Sequence, residues 1–209
     1  MPFPPAPGSP RLLAFLLVAL SLSGHARSEV QLARTVLPDA LPSSFAVGLP
    51  GGLSFCYDPT RGGLSYAWKG GFADLSSVRP NVGKFVYPIK LLGERFYRES
   101  GDFPLRRGDP KRVPSVHFKG YRLEDAAIEF HYTVDGVQVH ERIQARPDGT
   151  GLVRRFRFDE GGADARWWYL PGTAEGNISS PTGRQEGGGL LFEPGSSREF
   201  TLEITPSRP

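Results

Sequence analysis

Short alternating runs of apolar and polar residues, each closed by Gly, Pro, Asp or Asn within about ten residues, leave this chain little opportunity to build a helix. The runs predict strands at Phe45–Gly48, Leu53–Tyr57, Leu64–Lys69, Lys84–Tyr87, Val116–Glu124, Ala127–Val134, Val137–Ala145, Leu152–Phe158, Arg166–Leu170, Leu190–Phe192 and Glu199–Ile204. Between them stand strong turn sequences such as Asp58-Pro59-Thr60-Arg61-Gly62-Gly63, Asp135-Gly136, Pro147-Asp148-Gly149-Thr150-Gly151 and Glu193-Pro194-Gly195-Ser196. No ten-residue amphipathic helix interrupts the pattern, although Gln31–Leu37 has room for one helical turn before Pro38. About ten short strands with short connections predict an all-β fold, an antiparallel β-sandwich. The 26 Gly and 20 Pro of the 209 residues act as punctuation in such a fold, and 14 Phe, 7 Tyr and 3 Trp supply its core. One stretch lacks the alternation. From Glu99 to Pro114 the chain is charged and turn-rich, and it reads as a long surface loop inside a single domain spanning 29–209. No period of 20–50 residues recurs, which excludes a solenoid or propeller.

The N-terminus reads as a secretory signal peptide, residues 1–28. Arg11 precedes an apolar run from Leu12 to Leu22, and Ala26 and Ser28 place small residues at a cleavage site before Glu29, with cleavage after Ala26 as the alternative. The apolar run is about eleven residues, whereas a stable spanning helix needs roughly 20, so no stable membrane insertion is expected after cleavage. The segment contains two of the 25 basic residues and none of the 22 acidic ones, so the nominal charge falls from +3 to +1 when it is removed. A nearly neutral domain has no bulk field to hold a polyanion, and nucleic acid is not an expected partner. Cys56 is the single cysteine, so no internal disulfide is possible. Its place in Leu53-Ser54-Phe55-Cys56-Tyr57 predicts a buried structural thiol, the alternative being a reactive or partner-linked one.

The best-specified local geometry is the hairpin around Asp135-Gly136. A type I′ turn there gives cross-strand partners whose numbers sum to 271. Val134 then pairs with Val137, Tyr132 with Val139 and Ile128 with Ile143 on an apolar face, where Phe130 opposite Glu141 strains the pattern. The other face pairs Thr133 with Gln138, His131 with His140 and Glu129 with Arg142. Directly opposed side chains have Cβ atoms about 4.5–5.5 Å apart, so two imidazoles there can share a substrate group. They can equally share a metal if Glu129 or a loop carboxylate joins them, although neither HxH nor HExxH spacing is present. The plainer alternative is a solvated polar pair. His131, His140, Glu129 and Arg142 are therefore candidate ligand-binding residues, with no metal or cofactor assigned.

Aromatic residues form a second candidate surface. Leu53, Phe55 and Tyr57 share one strand face, Leu64, Tyr66 and Trp68 another, and Trp167-Trp168-Tyr169 places an indole on each side of its strand. Such rings either fill a sandwich core or serve as apolar platforms for sugars. For the adjacent Trp167 and Trp168 at least one is expected to face outward, and both are candidate ligand-binding residues. In Arg154-Arg155-Phe156-Arg157-Phe158, alternation puts Arg155 and Arg157 together, either to clamp a carboxylate or phosphate or to pair with acids on a wet face. GxSxG, the phosphate-binding loop, the dinucleotide glycine pattern, CxxC and CxxCH are all missing.

Gly48-Leu49-Pro50-Gly51-Gly52-Leu53-Ser54-Phe55-Cys56-Tyr57-Asp58 leads into Leu64-Ser65-Tyr66-Ala67-Trp68-Lys69-Gly70-Gly71-Phe72-Ala73-Asp74, followed by Lys90-Leu91-Leu92-Gly93, Phe118-Lys119-Gly120-Tyr121-Arg122-Leu123 and Phe130-His131-Tyr132. This order, over roughly residues 45–145, resembles an uncharacterised β-rich region in large secreted proteins of planctomycete- and verrucomicrobia-type bacteria. There it accompanies c-type cytochrome or sugar-dehydrogenase-like modules. The chain departs from those proteins in having no haem-attachment motif and no attached catalytic module. The resemblance implies an extracytoplasmic accessory domain. Together with the residue pattern, it leads to the expectation of a secreted or periplasmic binding module whose target is a carbohydrate or a secreted redox protein. The alternatives are a mutarotase-like or lyase-type enzyme using His131, His140 and a carboxylate as acid and base, and a structural envelope protein.

Overall fold

A computed structural model describes residues 29–61, 63–76, 89–172, 175–195 and 198–207. The expected signal segment and the strand expected at Lys84–Tyr87 lie outside the described residues. Fifteen strands form three antiparallel sheets, and no helix occurs among the described residues. The first sheet follows chain order: β1 (Gln31–Arg34), β2 (Phe45–Leu49), β3 (Leu53–Asp58), β4 (Gly63–Asp74) and β5 (Lys90–Arg98). The second runs in the spatial order β12 (Asn177–Ser179), β15 (Glu199–Thr205), β10 (Leu152–Phe158), β9 (Val137–Ala145), β8 (Ala127–Val134) and β7 (Val116–Leu123). The third is small: β13 (Arg184–Glu186), β14 (Gly189–Phe192), β11 (Trp167–Tyr169) and β6 (Leu105–Arg107). The all-β, sandwich-like class expected from the alternation is the class observed, with more strands than the alternation alone marks out.

The inner face of the second sheet is the common floor of the core. Toward the first sheet, Tyr57 stacks on Phe130 with ring centroids 3.6 Å apart. Toward the third, Phe158 stacks on Trp167 at 4.3 Å and Phe200 on Phe192 at 3.7 Å. Residues from all three sheets form one contiguous buried cluster. A smaller cluster on the opposite side of the first sheet gathers Leu37, Ala46, Cys56, Tyr66, Trp68 and Ile89. Cys56 is fully buried there, and burial pushes its thiol up to about 11, so it is the structural thiol that the sequence predicts.

The hairpin of β8 and β9 has the register deduced from its turn. Asp135 and Gly136 both have positive φ, at 49° and 84°, as a type I′ turn requires. All eight pairs from Ala127↔Gln144 to Val134↔Val137 have numbers that sum to 271. A β-bulge between Phe118 and Gly120 shifts the neighbouring strand β7, so that Tyr121 pairs with Phe130 and Arg122 with Glu129. The bulge thus brings Arg122 onto the polar face of the hairpin.

Two expectations are corrected. Gln31–Arg34 forms no helical turn; it is strand β1, because the open edge of β2 offers its backbone a full ladder. The 99–114 stretch is not surface loop throughout. Phe103, Pro104, Leu105 and Arg106 are buried, and β6 within it completes the third sheet by pairing with β11.

The turn between β9 and β10 carries its own titration signature. Asp148 accepts hydrogen bonds from the Thr150 amide (3.0 Å), from Arg146 Nη2 (3.0 Å) and from the Thr150 hydroxyl (2.8 Å), which together hold its carboxyl down to about 2. A depressed carboxyl adds stability that is complete above its ordinary value of 3.8 and is lost as the pH falls toward 2. Carboxyl-detected NMR titration should therefore find Asp148 ionised well below pH 3.8. A midpoint at the ordinary value would mean the three hydrogen bonds are not made in solution.

Candidate functional site on the polar face of the second sheet

Alternation along β8, β9 and β10 sends Ile128, Phe130, Tyr132, Val139, Ile143 and Phe156 inward and leaves a polar outer face. At its centre His131 and His140 oppose each other with ring centroids 4.9 Å apart and planes at 63°. Glu129 joins them, largely buried at 8% exposure. Its Oε1 lies 2.7 Å from His131 Nε2, 3.6 Å from His140 Nδ1 and 3.3 Å from Arg122 Nη2. Burial pushes the Glu129 carboxyl up, but the hydrogen bond from His131 and the charge of Arg122 outweigh it and hold the group below its ordinary value.

Of the sequence candidates, the structure brings His131, His140 and Glu129 together and separates the rest. Arg142 is opposite Glu129 in register, yet its guanidinium turns to Glu124 Oε2 at 2.7 Å and to Gln144. Both tryptophans are buried, which overturns the expectation of an outward indole. Trp167 is in the main core and donates to Gly162 O at 2.9 Å. Trp168 faces the other side of β11 but is covered, and donates to Gly108 O at 3.0 Å. Phe55, Tyr57, Tyr66 and Trp68 are likewise buried. None of these rings can present a platform to a sugar. Arg155 and Arg157 are on the wet face and pair with acids, Glu199 at 3.3 Å and Asp159 at 3.5 Å.

Asp159 bears on the histidine group, and Arg198 on the cleft beside it, without standing out in the sequence. Asp159, one residue beyond β10, places Oδ1 3.3 Å from His140 Nε2. Its backbone is tied down by the Asp159 amide donating to Gln138 O at 3.1 Å. It also lines a cleft of about 480 Å³ with Gln138, Arg157, Glu160 and Arg198. The histidine group and the cleft are thus one continuous polar surface joined through Asp159. Only the step from strand to loop at Phe158-Asp159 hints at this in the sequence, because the approach of Arg198 requires β15 to lie against β10.

A second cleft, of about 420 Å³, opens beside β3, β4 and β5 and is lined by Asp39, Asp58, Arg61, Tyr66, Arg98 and Glu99. Its carboxylates are already engaged. Asp39 pairs with Arg95 at 2.7 Å, and Asp58 caps the turn at Thr60. Glu99 accepts from Tyr97 at 2.8 Å and pairs with buried Arg154 at 2.6 Å. Arg154 in turn holds Glu141, which also accepts from Tyr132 at 3.0 Å. Burial opposes the charge on Arg154, but Glu141, Tyr169 and Glu99 hold its guanidinium protonated. This network links the three sheets and, among the described residues, leaves no acid–base pair facing the cleft. Comparison with known proteins gives no match: no family model, no curated protein and no solved structure matches the chain.

Proposed function

We propose that this chain is an extracytoplasmic, non-catalytic binding module that holds an acidic saccharide on the polar face of its second sheet. The observation that carries this reading is the cleft lined by Arg157, Arg198, Gln138, Asp159 and Glu160. Two guanidinium groups suit a sugar carboxylate, and amide and carboxylate groups suit ring hydroxyls. The leader-like N-terminus supports the extracytoplasmic setting. Recognition here is by hydrogen bonds and charge, since the aromatic candidates are buried. An enzyme reading has less support. The histidines stand on an open sheet face, and the carboxylates Glu99 and Glu141 are bound to Arg154.

Titration against a panel that includes neutral and uronate-containing oligosaccharides tests the reading. The uronate members should bind, and Arg157→Ala or Arg198→Ala should weaken them by about tenfold or more, since a hydrogen bond to a charged group contributes about 1.5–3 kcal/mol. Binding that prefers neutral glycans, or that ignores both substitutions, would refute it.

A further inference from the structure

His140 is unusually placed for a surface histidine. Its Nε2 faces Asp159 Oδ1 at 3.3 Å, while its Nδ1 is buried and has no hydrogen-bond partner among the described residues. That Nδ1 lies 3.6 Å from Glu129 Oε1, which is itself 2.7 Å from His131 Nε2. Glu129, His131 and His140 each offer a ligand atom within 4.8 Å of the others. A proton on Nε2, directed at Asp159, leaves the Nδ1 lone pair pointing into this group. A buried nitrogen without a partner is unfavourable, so the arrangement calls for a ligand.

We propose that Glu129 Oε1, His131 Nε2 and His140 Nδ1 bind a divalent transition-metal ion, Zn²⁺ being the expected one. Four features support it. Bonds of about 2.0–2.2 Å around a tetrahedral Zn²⁺ put ligand atoms about 3.3 Å apart, and the two spacings made by Glu129 bracket that value. Two imidazoles and one carboxylate favour zinc-like ions over Mg²⁺ and Ca²⁺, which prefer oxygen ligands. Asp159 behind His140 supplies the carboxylate–histidine arrangement that fixes ring orientation and tautomer in metal sites, and is a positioning residue here. The three side chains are held on one hairpin and the two histidines remain partly exposed, so an ion can enter and retain water as a further ligand.

Arg122 is the counterweight. Its guanidinium occupies the Glu129 carboxylate at 3.3 Å, but it is 62% exposed and has Glu124 as a second partner at 3.1 Å, so it can withdraw. Its charge competes with the ion.

Calorimetric titration of the purified protein with Zn²⁺ alone, in chelator-free buffer, should give one site per chain at micromolar or tighter affinity, with no comparable heat from Mg²⁺. His140→Ala and Glu129→Gln should each weaken Zn²⁺ binding by at least about tenfold, and Asp159→Asn by about tenfold. Arg122→Ala should tighten it severalfold, a gain that loss of structure cannot imitate. His117→Ala, outside the cluster, should leave it unchanged. With Co²⁺ as the probe, visible absorption of a low-coordinate site should appear in the wild type and vanish in His140→Ala. Absence of saturable Zn²⁺ binding would overturn the proposal, as would affinity indifferent to both His140→Ala and Glu129→Gln. The metal alone is the probe, so the result stands independently of any saccharide.

Discussion

Arg154→Met should lower the unfolding free energy at neutral pH by about 3–5 kcal/mol, the range seen when one partner of a buried ion pair is removed. The side chain is 1% exposed and bonds to Glu141 at 2.6 Å, Glu99 at 2.6 Å and the Tyr169 hydroxyl. Removing it leaves two carboxylates facing each other across the core with tyrosine hydroxyls as their remaining donors. The Glu141 carboxyl is already pushed up by burial, against the pull of Arg154, and loss of the guanidinium pushes it further. A carboxyl raised in the folded state destabilises the fold at pH above its unfolded value of 4.5, up to and beyond its folded value. The deficit of Arg154→Met should therefore shrink as the pH is lowered toward 4.5. Adding Glu141→Gln should restore part of the stability at neutral pH, because a neutral amide can still accept from Tyr57 and Tyr132. Urea denaturation of both variants at two pH values measures all of this. A single variant that loses under 1 kcal/mol would show that the network contributes little beyond what packing supplies.

That network is where sequence and structure part most clearly. Glu141 is visible in the alternation of β9 as an acid on the apolar face opposite Phe130, and Arg154 shares its strand face with Leu152, Phe156 and Phe158. Taken alone, each is a local violation of pattern. The register of β9 against β10 pairs Arg154 with Ile143 and Phe156 with Glu141, which makes the acid and the base diagonal neighbours on one face. Two violations of opposite charge on adjacent strands cancel each other. Glu99 cannot be found this way, because it comes from the end of β5 and reaches Arg154 only through the packing of one sheet on another.

The hairpin itself is fully legible because its turn chemistry and its periodicity agree: two residues with positive φ fix the register, and the register fixes which side chains share a face. Hence Glu129, His131 and His140 come together as expected. Arg142 does not join them, since its guanidinium pairs with Glu124, one residue beyond β7, at 2.7 Å. The third sheet is only half legible. Leu190–Phe192 and Trp167–Tyr169 alternate or run apolar, whereas β6 and β13 are three-residue pieces rich in polar residues, and their strand character comes from the partners they complete.

Trp167→Ala should cost about 3–5 kcal/mol and leave ligand affinity unchanged wherever the protein remains folded. The indole is fully buried, stacks on Phe158 at 4.3 Å and donates to Gly162 O at 2.9 Å. Truncation opens a cavity between the second and third sheets and removes one of two hydrogen bonds to Gly162 O, which keeps that from the Ala165 amide at 3.3 Å. Trp167→Phe separates these terms, since it keeps most of the stacked area and loses only the N–H, at a cost of about 0.5–1.5 kcal/mol. Trp168 sits across β11 from the main core, so Trp168→Ala should cost less than Trp167→Ala. The ordering matters more than either value, because a sugar platform would reverse it. A tryptophan kept for binding would lose affinity when truncated and little stability, whereas these two should lose stability alone. Thermal unfolding paired with Zn²⁺ and uronate titrations separates the two outcomes, and a folded Trp167→Ala variant with near wild-type stability would be incompatible with the three-sheet core.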